Sequence, residues 1–429
     1  MFVSEINKNK IINLLFLFLP VSFICGNLVI NINVIFLIIT SLIFFYPRVM
    51  KFDNNIYDKL LLLFFFIVLF SGIFNSYFYY FPEKSIYAKE LLIKSFLYLR
   101  FALLYLIIKF LIKNDILKLK YFFISASICS LFVAFDVVLQ FATGKDIFGY
   151  ESFDRRNPGP FGDEAISGSY LQRFSIFLFF LIPIFFKKYD NSKNLIIVII
   201  LFLVTFSAIL FSGNKFPFFM FILSVLTLIL LLVRSKKMII FLLLICPTIF
   251  IIFFKYNSEV KNNFTSFFTR FAQIKIYTSS VIENVKSGSE IVIPNTWIKE
   301  MHNGILAFNN KKVWGGGLKS YKISCPKVSK YSCNQHPHNY HIEILLSSGI
   351  IGYLSLLIIF FHFFYKVFIK NYYAYSRYEQ LLLVLFFTLF FIESFPLKTS
   401  GSFFSTANAT YFFIIMSITI SLGLKKKNK

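Results

Sequence analysis

The sequence predicts an all-α polytopic membrane protein with about 12 transmembrane helices, and three observations predict it. Of its 429 residues, 57% are hydrophobic and only 15% charged, whereas a soluble domain carries about a quarter charged residues. The apolar residues come in long blocks rather than alternating with polar ones, and a helix needs about 20 of them to cross the hydrocarbon core. The Lys and Arg residues also concentrate in alternate gaps between the blocks, as orientation by positive charge requires. Together these exclude a soluble enzyme, a disordered chain, a secreted disulfide scaffold and an outer-membrane barrel.

Taken in order, the apolar blocks run over about 11–26, 29–46, 60–76, 95–112, 121–140, 168–186, 194–212, 216–233, 238–254, 347–368, 379–395 and 403–424. The first two are separated only by Gly26 and Asn27, which suits a hairpin. Residues 1–254 thus hold nine predicted helices, 255–340 form one large outer loop with short helices between helices 9 and 10, and 341–429 hold the last three. With the N-terminus inside, the inner segments carry 22 Lys and Arg, and the short outer segments carry nine. The long loop carries twelve, which do not set orientation because long loops cross largely regardless of charge. The expectation is therefore a multi-pass protein with both termini cytoplasmic. The formal charge of +24 is read as this orientation signal, with the lipid bilayer as partner and no nucleic acid. The 62 Phe residues are read as filler of lipid-facing positions. After Lys8 and Lys10 the apolar stretch runs on without a small-residue cleavage site, so no cleavable signal peptide is expected.

The same assignment sorts the cysteines. Cys25, Cys129 and Cys246 lie in or beside apolar blocks and read as small buried hydrophobes. Cys325 and Cys333 both fall in the outer loop, eight apart, where an oxidising compartment favours a disulfide. Their spacing fits no zinc pattern.

Polar groups within a membrane are costly and face a cavity or a partner. Arg100 sits about six residues, or roughly 9 Å, below the outer end of its helix. Asp136 and Gln140 are four apart and share one helix face. Residues 149–173 form a turn-rich outer loop containing Arg156 and Glu164, and Ser212-Gly213-Asn214-Lys215 is a tight outer turn. His336-Pro337-His338-Asn339, followed by Glu343, stands where the long loop re-enters the membrane. All of these land at one depth on one side. Each has a structural alternative: Arg100 as a snorkelling side chain or paired to Asp136, Lys215 as an interfacial lysine, the histidines as helix caps. As a set, the cations suit an anionic lipid headgroup, because guanidinium and ammonium pair well with phosphate. Two histidines two apart lack the other ligands of a zinc site, and no phosphate loop or dinucleotide fingerprint is present, so neither metal nor cofactor is expected.

His338-Asn339, nine residues, Gly349, two residues and Gly352-Tyr353 resembles, at every fixed position, the signature of bacterial O-antigen ligases. That signature follows a large outer loop late in a chain of about twelve spans, as it does here. The stretches around Arg100, FDVVLQFATGKDIFGY, RNPGPFGDEAISGSYL, VWGGGLKSYKISC and CNQHPHNYHIEILLSSGIIGY carry the resemblance over most of the chain. They look like the branch in which two outer cysteines bracket the loop before the HPHN box.

The resemblance implies a GT-C-like, inverting, metal-independent glycosyltransferase of the inner membrane. Such an enzyme transfers an undecaprenyl-diphosphate-linked O-antigen glycan to a lipid A–core acceptor at the periplasmic face. It assigns diphosphate binding to arginines, matched best by Arg156, with Arg100 joining them. Lys215 stands where a family arginine is expected, keeping the charge but lacking the bidentate fork. It places His338 near the acceptor. On that basis His338 acts on the acceptor hydroxyl as base or orienting group, Glu164 is a second candidate base, and Asn339 and Glu343 bind substrate or orient the imidazole. Gly349 and Gly352, three apart, read as a close-packing helix face, and the outer loop, with Trp297, Trp314 and the Gly315-Gly316-Gly317 hinge, as a cover over the acceptor groove. A repeat-unit polymerase and a protein O-oligosaccharyltransferase share this topology and donor. The remote alternative is a twelve-helix transporter, against which stand the absence of a half-repeat and the gathering of charge away from the midplane.

Overall fold

The computed structural model describes residues 5–80, 85–153, 156–185, 192–232, 236–329, 333–399 and 401–425. Of the charges that orient the chain, Lys84, Arg155, Lys187, Lys188, Arg234, Lys426, Lys427 and Lys429 lie outside the described residues. Within them the chain is all-helical; the only strand-like pairings are two isolated bridges, Lys145 with Glu151 and Phe153 with Arg156.

Each predicted apolar block falls on helix, and local chemistry explains the breaks. The first block divides into α1 (Glu5–Leu17) and α2 (Leu19–Ile24) beside Pro20, which has no amide hydrogen to continue the ladder. After Gly26 come α3 (Asn27–Phe45) and α4 (Ile56–Asn75), the latter capped by Asn55, whose side chain accepts from the Asp58 amide at 2.9 Å. The fourth block is interrupted at Leu99 between α5 (Ser85–Tyr98) and α6 (Arg100–Lys113). Next, α7 (Leu119–Thr143) ends on the left-handed Gly144 and is followed by α8 (Ser167–Phe185), α9 (Ser192–Phe211), α10 (Lys215–Leu232) and α11 (Lys236–Tyr256). The region expected to hold only short helices instead opens with a 30-residue helix, α12 (Ser258–Ser287), before α13 (Thr296–Asn309) and α14 (Tyr321–Val328). The chain closes with α15 (Tyr340–Phe364), α16 (Arg377–Glu393) and α17 (Thr406–Leu424).

Seven of the described helices are long and apolar enough to cross a membrane, which makes this a polytopic helical membrane protein. Their composition follows their surroundings. The span at Asn27–Phe45 has mean hydropathy 2.6 and is 33% buried, whereas Thr406–Leu424 has 1.6 and is 89% buried. Exposed spans must be apolar to meet lipid. The buried one uses Ser417, Thr419, Ser421 and Gly423, small residues that let helices approach.

The chain divides into two compact units. One comprises 1–44, 111–269 and 376–392. There α7 packs on α8 and α9, with Phe123, Phe177 and Phe386 in mutual ring contact at 5.0–6.0 Å. The other comprises 45–110, 270–375 and 393–429. There α4 packs on α15 and α5, and α13 on α14 and α15, while Phe413 of α17 touches Phe65 at 5.2 Å and Phe101 at 5.6 Å. In this second unit Lys109, counted among the inner-face cations, is 4% exposed and paired with the buried Asp58, which also accepts from the Tyr105 hydroxyl at 2.7 Å. Its charge is spent on an internal ion pair rather than on the membrane surface.

Candidate functional site

The signature residues owe their spacing to one broken helix. Asn339 caps α15: its Oδ1 accepts from the Ile342 amide at 3.1 Å, and its Nδ2 donates to the Pro396 carbonyl at 2.8 Å. Both ends of the Asn339 amide thus hold the start of α15 in place. Glu343, one turn on, is 6% exposed, and its carboxylate accepts from Ser402 Oγ and the Phe403 amide, each at 2.6 Å. It fastens the approach to α17 onto α15 and makes no contact that orients His338. Glu343→Ala leaves two buried donors without an acceptor, so it lowers stability by about 2–3 kcal/mol, to be read as a thermal shift in detergent; Glu343→Gln, which keeps an acceptor, costs less.

Ten residues after the cap, Gly349 leaves the helical region altogether, at φ +67° and ψ −172°. The helix carbonyls freed by the break are taken by the triglycine loop. The Gly316 amide donates to Leu346 O at 2.7 Å, Gly317 to Ser347 O at 3.0 Å, and the Ile350 amide donates back to Lys312 O at 2.8 Å. Ser71 Oγ and Asn75 Nδ2 each donate to the Gly315 carbonyl at 3.0 Å. Irregular backbone within a spanning segment must find such partners. Gly315-Gly316-Gly317 is therefore bolted in place, not the hinged cover the sequence suggests. Gly349 and Gly352 also do not share a helix face. Gly349 receives the loop, while Gly352 makes room for Ser348 on its own helix, whose Oγ stands 2.4 Å from where a Cβ would lie.

The last signature residue, Tyr353, meets His341, whose Nδ1 lies 3.0 Å from the Tyr353 hydroxyl and whose Nε2 lies 3.0 Å from the Ser394 carbonyl. A carbonyl only accepts, so Nε2 carries the proton and both nitrogens are occupied. Near it, Glu393 and Lys398, each 1% exposed, form an ion pair at 2.8 Å, and Lys398 O receives the Tyr340 amide at 3.3 Å. The N-terminus of α15 is thus held on several sides.

His338 immediately precedes this cap and is built differently. It is one of three described non-glycine residues at positive φ (+51°), with Lys319 (+65°) another in the same lobe. Such backbone persists only when its surroundings enforce it, and it gathers at functional sites. The His336 and His338 rings lie 4.3 Å apart. Asn334 Nδ2 is 3.3 Å from His338 Nε2, and the Asn334 amide donates to Glu300 Oε2 at 3.2 Å. Burial holds the His338 imidazole below its usual pKa although Glu300 pulls it upward, so it is neutral at pH 7. Burial, aided by His338 and Lys319, pushes His336 down to about 4. Cys325 and Cys333 are joined by a disulfide, which fixes the residue before Asn334 to α14.

Arg100 belongs to the same unit as His338 and opens α6. Its Nη1 donates to the Leu97 carbonyl at 3.0 Å, and its guanidinium lies 4.6 Å from the Phe101 ring centroid. Arg156, Glu164 and Lys215 belong to the other unit. There Asp136 Oδ1 accepts from the Ile147 amide at 2.8 Å, and Gln140 accepts from the Gly159 amide at 2.7 Å while donating to Tyr150 O at 3.1 Å. The shared face of Asp136 and Gln140 anchors the 144–160 loop. Arg156 is half-buried in a turn where it exchanges two backbone hydrogen bonds with Phe153, and Glu164 is exposed. Lys215 Nζ donates to Ser266 Oγ at 3.1 Å. One turn further along α10, Phe218 and Phe219 line an apolar cavity of about 330 Å³ together with Phe202, Ile222, Cys246 and Phe250. Among the described residues, no group of three or more His, Cys, Asp or Glu is placed to hold a metal ion.

Glu300, Tyr321 and Asn334 were not singled out by sequence reasoning. In TWIKEMHN the glutamate looks like a charge on a solvated helix face, yet it is 1% exposed because α13 packs against α14 and α15. The sequence signal available was proximity of Asn334 to the HPHN box. No protein-family model matches the chain, and no curated protein matches it.

Proposed function

We propose that this protein is an O-antigen ligase: a GT-C-like, inverting, metal-independent glycosyltransferase with about twelve spans, both termini cytoplasmic and its active site periplasmic in the bacterial inner membrane. It moves an undecaprenyl-diphosphate-linked glycan onto lipid A–core. The observation that carries this reading is His338, a half-buried and neutral imidazole on strained backbone directly before the α15 cap, within a motif spaced as in those ligases.

The chemistry divides between the donor and acceptor. A diphosphate is already a good leaving group, so the protein must stabilise charge as the anomeric bond breaks and align an incoming hydroxyl. Lys215 at the head of α10, one turn from an apolar cavity, has the amphipathic character that a lipid phosphate needs: a cation beside a place for hydrocarbon. Arg156, in the same unit as Lys215, supplies guanidinium charge for the diphosphate. On the acceptor side, neutral His338 takes the proton of the attacking sugar hydroxyl; Glu164, exposed in its loop, is the second candidate base.

A cell-free assay with defined undecaprenyl-diphosphate glycan and lipid A–core tests the reading directly. Transfer to the core supports it; extension of the lipid-linked glycan instead indicates a repeat-unit polymerase, transfer to protein a protein O-oligosaccharyltransferase, and liposome uptake without transfer a transporter. Topology has its own check. A cysteine placed at exposed Glu290 (Glu290→Cys) should react with a membrane-impermeant maleimide in intact spheroplasts. Reaction only after lysis would put the 255–340 lobe inside the cell and end the proposal.

A further inference from the structure

We propose that Glu300 is the positioning residue of the candidate site: its carboxylate ties down the strap that carries His338 and supplies the negative charge that this imidazole faces. The inference rests on the reading of His338 as proton acceptor. Glu300 lies on α13 and is 1% exposed. Its Oε2 accepts from the Tyr321 hydroxyl at 2.6 Å and from the Asn334 amide at 3.2 Å. The strap therefore has three fixings: the Cys325–Cys333 disulfide, the Glu300 bond to the Asn334 backbone, and the Asn339 cap. Between them, the Asn334 side chain reaches His338 Nε2 at 3.3 Å.

A buried carboxylate is expensive unless its partners compensate it. Two neutral donors and Lys299, whose Nζ is 3.5 Å from Oε1, do so only in part. The charged and titratable groups facing this cluster are Lys299, Lys319, Tyr321, His336 and His338. A glutamine could accept the same two hydrogen bonds, so fastening the strap does not by itself require a charge. What a carboxylate adds is stabilisation of an imidazolium, the species formed when His338 takes a proton.

Two influences on His338 have opposite signs: burial lowers its pKa and Glu300 raises it. A variant that merely loosened the strap would expose the ring and let its pKa rise towards the ordinary 6.5. A variant that removes the charge from an intact strap must lower it.

The experiment is a titration of histidine-labelled, full-length protein in nanodiscs by NMR, with the His338 resonance assigned by its loss in His338→Gln, beside the pH profile of glycan transfer. Glu300→Gln is expected to lower the His338 pKa and to move the acidic limb of transfer down with it. Glu300→Asp, which keeps the charge but withdraws it by one methylene, is expected to lower it by less, and it provides the same test of sign if Glu300→Gln does not fold. An unchanged or raised His338 pKa overturns the proposal. If the pKa falls while the acidic limb of transfer stays where it was, Glu300 acts on His338 as stated, and what fails is His338 as the proton acceptor.

Discussion

His338→Ala is expected to lower glycan transfer by about 10²–10⁴-fold, the usual contribution of a positioned general base, while the protein accumulates in the membrane at its normal level. The two halves of that result have separate causes. The side chain's hydrogen bond is the 3.3 Å contact with Asn334, and α15 is capped by Asn339 rather than by the histidine. Removing the ring therefore costs little structure. Chemistry suffers because nothing else on the strap can take its place: His336, half-buried and pushed down to about 4, is too weak a base. The pH profile follows from the sign of the shift. The unprotonated ring is the active form, and its pKa lies below the ordinary 6.5. Transfer should thus be full at pH 7 and fall as pH drops through a midpoint below 6.5, and His338→Ala should abolish that limb. A fully active His338→Ala, measured in the cell-free assay, would remove the histidine from the mechanism.

Gly349→Ala is expected to be the most damaging single change to the fold. The residue sits at φ +67°, and a Cβ there would stand 2.1 Å from the Val313 carbonyl oxygen and 2.7 Å from the Gly315 nitrogen. The left-handed conformation alone costs an L-residue about 1–2 kcal/mol. The overlap is with backbone, so relief requires expelling the 312–317 loop and with it three backbone hydrogen bonds, each worth about 1 kcal/mol net. A loss of about 4–5 kcal/mol is a large part of a typical stability, and most of the protein should fail to elute as a single species in detergent. Gly352→Ala is the control. Its Cβ would meet Ser348 Oγ at 2.4 Å and Ser348 Cβ at 2.5 Å, a crowding confined to one turn of its own helix, with Ile67 at an ordinary 3.5 Å. Its backbone is helical and no loop need be expelled, so a smaller thermal shift than at Gly349 is expected. Equal damage from the two substitutions would contradict the assignment of Gly349 to the helix break.

The helical membrane class was legible because it depends on composition summed over long windows, where single errors cancel. So was the position of nearly every helix, from the apolar block at 121–140 that became α7 to the one at 403–424 that became α17. Residues whose role is local were less legible: the sequence offers His336 or His338 as the cap of α15, which Asn339 makes instead, and it puts Gly349 on the helix face that this residue breaks. Long-range partners were not legible. Asn339 and Glu343 are polar beside a histidine, and nothing near them in sequence indicates that they bond to Pro396, Ser402 and Phe403, some 60 positions away. Glu300 was overlooked for the mirror-image reason: a charge in a polar stretch looks solvated until other helices cover it.

By itself, then, the order of amino acids determined that this chain is a bundle of membrane helices with a late polar lobe and a spaced HN…G…GY element, since hydrophobicity, turn formation and helix capping act over a few neighbours. Only the tertiary structure decided that Gly349 breaks a helix to admit the 315–317 loop, that Lys109 is spent on Asp58, and that His338 lies strained within reach of Asn334 and under the charge of Glu300. Each of those depends on backbone atoms or charges brought together from distant parts of the chain, where burial strengthens electrostatic effects that water would otherwise screen.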